Sequence, residues 1–210
     1  MPRRSRCKVR APRGIYLVDG PTGHASATSP MLTSVQPTPP PLVLERAAGG
    51  DAAALAELYG RYGQAVHRLA FRLTGSAADA EDVLQDVFVG LPEALRSYSG
   101  RGSLEGWIRR VAARTALMRM RGERRRREVA LDPREEPAAR SDPGAVVERT
   151  AIQRALAALP DGLRAVFVLR EVEGYSHGEI GELLGIRAGT SEVRLFRAKK
   201  MLQTLLRSSR

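Results

Sequence analysis

The chain has 210 residues, which is enough for one ordinary domain or two small ones. Hydrophobic residues make up 43% of it but aromatic residues only 5%, so a core must consist mainly of Leu, Val, Ala and Ile. The formal net charge of +11 favours a polyanionic partner such as nucleic acid, although a high-GC genome would also raise the Arg content. Cys7 is the single cysteine, which excludes an internal disulfide and a Cys-rich zinc site. No apolar run approaches the ~20 residues that cross a bilayer, so we expect a cytoplasmic protein without membrane insertion.

The first part of the chain, 1–43, is predicted to be a disordered N-terminal extension because it is rich in Pro, Ser, Thr and Gly. It begins with a basic arm at 2–6. Such an arm either contacts DNA or is a solvated tail, and the second interpretation is the commoner one.

A helical spacing of apolar residues begins at Leu44 and predicts a first domain over 44–127. Two helices are expected around Leu58 and Leu69, and the segment 74–76 should break the pattern.

A third helix is predicted to begin near Ala78, and we expect Pro92 to kink or divide it, because proline lacks the N–H and crowds the preceding turn. After a loop, Ser103 is placed to cap a fourth helix. Trp107 lies on the apolar stripe of this helix, so we expect it to pack in the core, while arginines occupy the other faces.

The sequence therefore predicts an all-α fold of two small helical domains, with a flexible Pro-containing linker at 128–145 and a second domain over 146–210. In the second domain, Ser176 and Glu179 form a capping box, and Gly185 permits a sharp turn before another helix. This pattern is typical of a helix-turn-helix that binds the DNA major groove. The alternative is an αα-hairpin with a solvated cationic face.

Two groups of segments are informative together. The first group reads Leu-Ala-Phe-Arg-Leu-Thr-Gly at 69–75 and Ala-Asp-Ala-Glu-Asp-Val-Leu-Gln-Asp-Val-Phe at 78–88. The second group reads Ala-Leu-Pro at 158–160, Leu-Arg-Glu-Val-Glu-Gly-Tyr-Ser at 169–176, Glu-Ile at 179–180 and Leu-Gly-Ile at 184–186. In this order they resemble the two conserved domains of bacterial RNA polymerase sigma factors, and most closely those of the extracytoplasmic-function (ECF) group. The likeness covers 45–127 and 146–206.

The resemblance implies core RNA polymerase and both double-stranded and melted promoter DNA as partners, with an anti-sigma factor as a regulatory partner. The residues implied in polymerase binding are Asp79, Asp82, Gln85, Asp86, Phe88 and Val89. Those implied at the −10 element are Tyr98, Ser99, Arg101, Ser103, Arg109, Arg110 and Arg114. Those implied at the −35 element are Arg187, Thr190, Ser191, Glu192, Arg194 and Arg197.

The chain departs from the family pattern at the start of the DNA-reading helix. Arg187 stands where the family has a Ser cap, Ser191 where it has an apolar residue, and Glu192 where it has a cation. A carboxylate repels phosphate but accepts a hydrogen bond from the cytosine amino group, so we expect an altered −35 preference.

The sequence disfavours two other functions. A helix-turn-helix regulator that acts without polymerase usually carries a receiver or ligand domain with strands, which the helical first domain disfavours. An enzyme is disfavoured because the three histidines are far apart, and because no phosphate loop or nucleophile–base pair is present. We therefore expect no cofactor, no metal and no small-molecule substrate.

Overall fold

The computed structural model describes residues 39–130 and 151–208, with the side chains of 127–130 and of 208 left aside. Most of the predicted N-terminal extension and of the predicted linker, at 1–38 and 131–145, lies outside the described residues. Within the described part, the chain is helical and contains no strand. This confirms the all-α fold class. No helix in that part is long and apolar enough to cross a membrane.

The first helical block consists of α1 (Pro41–Ala48), α2 (Ala52–Thr74), α3 (Ala77–Leu95) and α4 (Leu104–Ala130). Helices α2, α3 and α4 pack against one another, and α1 lies against α2 and α3. The largest side chains that are fully buried in this block are Leu58, Val66, Leu69, Leu73, Val83, Val87, Leu91, Leu104 and Ile108.

Three features of this block differ from the sequence-based expectation. The two helices expected around Leu58 and Leu69 are one continuous helix, α2, because the residues between them include no proline. Helix α1 begins at Pro41, since proline is tolerated in the first turn, so 41–43 of the predicted extension are helical. Of the two outcomes expected at Pro92, the division does not occur, because α3 continues through Pro92 to Leu95.

The second helical block consists of α5 (Ala151–Ala157), α6 (Asp161–Phe167), a π-helical segment (Val168–Val172), α7 (His177–Leu184) and α8 (Ala188–Ser208). Helix α8 packs against α5, α6 and α7, so the long last helix organises this block.

The two blocks meet at the buried side chain of Arg164 in α6, a residue that is 5% exposed. Its Nε donates to the carbonyl of Leu73 at 2.8 Å, and Nη2 donates to the carbonyl of Thr74 at 2.9 Å. A helix leaves its last four carbonyls without intrahelical partners, so this guanidinium satisfies two of those that end α2. Nη2 also donates to Asp161 at 2.6 Å, which compensates the buried charge.

Gly75 ends α2 with a φ of 75°, a left-handed conformation that favours glycine. A Cβ added there would lie 3.1 Å from Nη1 of Arg164, and that guanidinium is held by several acceptors and cannot easily shift. The end of α2 is therefore fixed both by its own turn and by the neighbouring block.

Gly75→Ala should destabilise the protein more than Gly50→Ala. Both glycines have positive φ, which costs a non-glycine residue about 1–2 kcal/mol, but no atom lies within 4 Å of a Cβ added at Gly50. Thermal unfolding of the two variants measures the difference. Equal losses of stability would show that Arg164 does not hold the end of α2.

Candidate nucleic-acid and polymerase interface

The acidic residues predicted to bind polymerase lie along α3, where Arg119 of α4 faces them. The Arg119 guanidinium forms ion pairs with Asp79 at 3.8 Å and Asp86 at 3.7 Å, and with Asp82. The side chain of Asp79 is only 13% exposed, whereas those of Asp82 and Asp86 are 48% and 58% exposed. Asp82 and Asp86 are thus presented to a partner, and Asp79 is turned toward α4. Sequence reasoning missed Arg119, which lies 37 residues beyond Asp82.

Apolar side chains lie close to these carboxylates. Val89 is 62% exposed, and Phe88 is half-buried with its ring 4.9 Å from that of Tyr59 in an edge-to-face arrangement. Tyr59 is itself 50% exposed. The surface therefore combines carboxylates with exposed apolar area.

The loop before α4 carries several of the residues predicted at the −10 element. The hydroxyl of Tyr98 donates to the carbonyl of Gly102 at 3.2 Å, and its ring lies 5.2 Å from that of Trp107. Trp107 is 8% exposed, which confirms its expected position in the core. Ser103 Oγ accepts from the N–H of Gly106 at 3.1 Å, so this side chain caps α4 as predicted. The other side chains predicted in the loop, Ser99 and Arg101, are exposed.

The three arginines of α4 have different surroundings. Arg109 donates from Nε and Nη2 to the two carboxylate oxygens of Glu173, at 2.8 and 2.9 Å. Burial lowers the pKa of Arg109, but the hydrogen bonds and charge of Glu173, with a further contribution from Glu105, outweigh it and raise the pKa above its usual value. Arg110 lies 3.7 Å from Glu179, and Arg114 is half-buried. Two of the three candidate DNA-binding cations thus face carboxylates of the second block.

The helix-turn-helix has the predicted end caps. Ser176 Oγ accepts from the N–H of Glu179 at 3.2 Å, and the Glu179 carboxylate accepts from the N–H of Ser176 at 2.8 Å. Gly185 ends α7 in the left-handed conformation, with a φ of 66°. Gly181 allows the turn to approach α7, because a Cβ there would lie 2.6 Å from the carbonyl oxygen of Ile186. The angle between the two helices therefore depends on a glycine that sequence reasoning did not single out.

Ser191 does not lie on the exposed surface of α8. It is 0% exposed, and a hydrogen bond of 2.9 Å joins its Oγ to Nδ1 of His177 on α7. The expectation that Ser191 contacts DNA is therefore corrected. The burial of Ser191 could have been predicted from the helical period. Ser191 precedes the buried Ala198 and Leu202 by seven and eleven residues, and these spacings place the three residues on one face of α8.

The other predicted residues of α8 and the preceding turn remain accessible. Arg194 is half-buried, and the exposed members are Arg187, Thr190, Glu192 and Arg197. Two apolar side chains flank Glu192 and Arg197 on the helix and were not singled out from the sequence. Val193 is 50% exposed and Phe196 is 70% exposed, although an apolar residue in a small helical domain is usually buried.

Comparison with known proteins agrees with this arrangement. The family model for sigma-70 region 2 matches residues 58–126, and that for sigma-70 region 4 matches residues 149–202. The chain is 32% identical over 158 residues to the ECF RNA polymerase sigma factor SigM of Mycobacterium tuberculosis, with 75% of this chain and 79% of SigM covered. The chain belongs to the ECF RNA polymerase sigma factors.

Other relatives point the same way. SigE of Mycolicibacterium smegmatis, also an ECF RNA polymerase sigma factor, is 34% identical over 168 residues, with 76% of this chain and 65% of SigE covered. This chain therefore spans slightly less than two thirds of SigE. The structure of the sigma factor RpoE from Bartonella quintana, solved with the anti-sigma factor NepR, superposes with a TM-score of 0.51 at 22% identity, covering 74% of this chain and 98% of that chain. That likeness supports the fold.

Membership of the ECF sigma factors confirms the sequence-based prediction of a protein that acts in promoter recognition and transcription initiation. Among the residues described, no group of three His, Cys, Asp or Glu side chains could hold a metal ion. The first helical block corresponds to sigma-70 region 2 and the second to region 4.

Ser191→Ala should destabilise this ECF sigma factor by about 1 kcal/mol, because the hydrogen bond to His177 is lost, and should leave DNA base preference unchanged. Thr190→Ala, at the exposed neighbouring position, should show the reverse pattern. Urea unfolding and competition between duplexes measure the two properties. A change in base preference with Ser191→Ala would show that Ser191 contacts DNA.

Proposed function

We propose that this ECF sigma factor divides promoter recognition among three surfaces. The exposed carboxylates and apolar side chains of α3 bind core RNA polymerase, the loop before α4 and its arginines bind the melted −10 element, and α8 reads the −35 element. The observation that carries this proposal is the pairing, in one chain, of an acidic α3 surface with a helix-turn-helix whose reading face is exposed. The protein acts by binding rather than by catalysis, in the cytoplasm where polymerase and chromosome meet.

The polymerase contact is argued from the chemistry of α3. Asp82 and Asp86 are half-exposed carboxylates, and Val89 adds exposed apolar area next to them. A basic helix with an apolar stripe is complementary to such a surface. Arg119 holds the carboxylates in one place, which reduces the side-chain freedom that binding would otherwise have to restrict.

The −10 contact combines phosphate binding with capture of unstacked bases. Arg109, Arg110 and Arg114 lie along one helix, and arginine holds phosphates without selecting a sequence. Tyr98 is half-buried beside Trp107 and lies in the loop, where an unpaired base can stack on a ring or bond to polar side chains.

The −35 contact is argued from the exposed face of α8. Arg197 supplies a cation, and Glu192 can accept from a cytosine amino group. Val193 and Phe196 offer apolar contacts to thymine methyl groups, which lie in the same groove. We therefore expect a −35 element that contains both thymine and cytosine on the strands that face α8.

Transcription in vitro with purified core RNA polymerase, this protein and genomic fragments of its source organism tests the proposal. Mapping the 5′ ends of the RNA should give discrete starts that depend on the added protein and share two upstream elements. DNA binding without dependent transcripts would overturn the proposal and favour a helix-turn-helix regulator that acts without polymerase. An anti-sigma factor as regulatory partner, which the family resemblance implies, remains a prediction.

Asp86→Asn should weaken binding to core polymerase by up to about fivefold, the scale of one partly exposed ion pair. Glu93→Gln is the matched control, because Glu93 lies on the same helix, is 63% exposed and pairs with Arg96 at 2.8 Å. Fluorescence anisotropy of the labelled protein measures both affinities. Equal affinities of the two variants would place the polymerase contact away from Asp86.

Glu192→Lys should raise general affinity for duplex DNA and weaken discrimination at the base that Glu192 contacts. One added phosphate contact steepens the plot of log affinity against log salt by about 0.9. Glu45→Lys is the control with the same change of charge, because Glu45 is exposed and lies on α1 of the first helical block. If Glu192→Lys and Glu45→Lys have the same salt slope and the same base preference, Glu192 does not contact DNA.

A further inference from the structure

The face of α3 that is proposed to bind polymerase combines exposed apolar area with a strong negative charge. Val89 is 62% exposed, and next to it the half-buried ring of Phe88 lies 4.9 Å from that of Tyr59, which is 50% exposed. Helix α3 contains no Lys or Arg, and its carboxylates are Asp79, Glu81, Asp82, Asp86 and Glu93. No other helix in the described part of the chain is as acidic. Such a face is complementary to a segment that is both basic and apolar.

One segment of the chain itself, at 3–18, has this opposite character. It lies outside the described residues, and its six cations are Arg3, Arg4, Arg6, Lys8, Arg10 and Arg13. The segment contains no carboxylate, and it ends with the apolar run Ile-Tyr-Leu-Val at 15–18. Segment 3–18 therefore offers cations to the carboxylates of α3 and apolar side chains to Tyr59 and Val89.

The chain enters the described structure close to α3. Pro39 is buried, and α1, which begins at Pro41, packs against both α2 and α3. The residues 19–38 connect segment 3–18 to this point, and a chain of that length can span up to about 70 Å. Helix α3 has 19 residues and is therefore about 28 Å long. The whole face of α3 thus lies within reach of segment 3–18.

We propose that segment 3–18 binds the α3 face of the same molecule and competes there with core RNA polymerase. The competition rests on the proposed function, because it assumes that polymerase binds α3, whereas the binding of the segment does not. Tethering gives the segment an effective concentration on the order of 1 mM, so ion pairs that are individually weak suffice to occupy the face. Helix α8 would repel the segment, because its cations outnumber its single carboxylate, Glu192.

A nitroxide on Cys7 tests the binding in the full-length chain. Cys7 lies within segment 3–18 and is the single cysteine, so the label needs no other change of sequence. In amide NMR spectra of the free chain, the label should broaden the signals of α3 around Asp86 and Val89 and leave that of Glu192 on α8 sharp. A mixture of isotope-enriched chain without the label and labelled chain without enrichment detects contacts between molecules, and we expect no broadening there.

Replacement of two cations measures the contribution of the segment's charge. Arg10→Gln combined with Arg13→Gln should reduce the broadening at α3 by about half, because the remaining exposed ion pairs are weak. The same variant should bind core polymerase about twofold more tightly, because apparent affinity scales with the fraction of molecules whose α3 face is free. Arg125→Gln combined with Arg126→Gln, at exposed positions of α4, is the control with the same change of charge. This control should change neither property.

Two substitutions on α3 locate the contact. Asp86 is 58% exposed and lies one helical turn from Val89, so Asp86→Asn should also reduce the broadening. Glu93 is 63% exposed but pairs with Arg96 at 2.8 Å, so Glu93→Gln should leave the broadening nearly unchanged. Circular dichroism verifies that each variant is folded.

Broadening of α3 within one molecule that falls in the segment variant and not in its control supports the inference. A segment that is only solvated, or that binds DNA instead, leaves the α3 signals of the DNA-free chain sharp and overturns it. Broadening that is equal in the segment variant and its control, or that occurs only between molecules, overturns it as well. Broadening without a change in polymerase affinity overturns the competition.

The two proposals fail in different ways. Absence of protein-dependent transcripts with core polymerase contradicts the proposed function, whatever the spectra show. Protein-dependent transcripts, together with sharp α3 signals in the labelled chain, leave the proposed function intact and remove the binding of segment 3–18.

Discussion

The Arg164 guanidinium is the contact on which the arrangement of the two blocks depends. It is nearly inaccessible to water and donates to carbonyls of α2 in one block and to Asp161 in the other. A buried cation left without these acceptors would be strongly unfavourable, so the contact is made completely or the blocks separate. One cluster of buried apolar side chains runs from region 2 into region 4, and α7 lies against α4.

Helix α4 links the surfaces to one another. Its Arg119 pairs with the carboxylates of α3, its Arg109 and Arg110 pair with glutamates of region 4, and its Arg121 contacts α7. In the proposed function, Arg109 and Arg110 therefore serve both domain packing and DNA binding, while Arg119 supports the polymerase-binding carboxylates from another position on the same helix.

The sequence was sufficient to predict the features of the fold that depend on local residue patterns. Apolar periodicity predicted the all-α class, and residue chemistry at fixed spacing predicted the capping box at Ser176 and the turn at Gly185. It was insufficient where residues far apart in the chain meet, as in the Arg109–Glu173 pair, whose members are 64 residues apart. The burial of Ser191 was missed for a different reason. A short polar residue near the start of a DNA-reading helix was taken for a base contact, although its helical phase placed it against α7.

The distance between regions 2 and 4 in the free chain is the most direct measurement of this account. Fluorophores on Ala53→Cys and Gln203→Cys, both at exposed positions, in a Cys7→Ser background that removes the single native cysteine, report that distance by energy transfer. We predict one short distance in the free chain and a longer one after core polymerase and promoter DNA are added. A long or broadly distributed distance in the free chain, unchanged by polymerase and DNA, would contradict it.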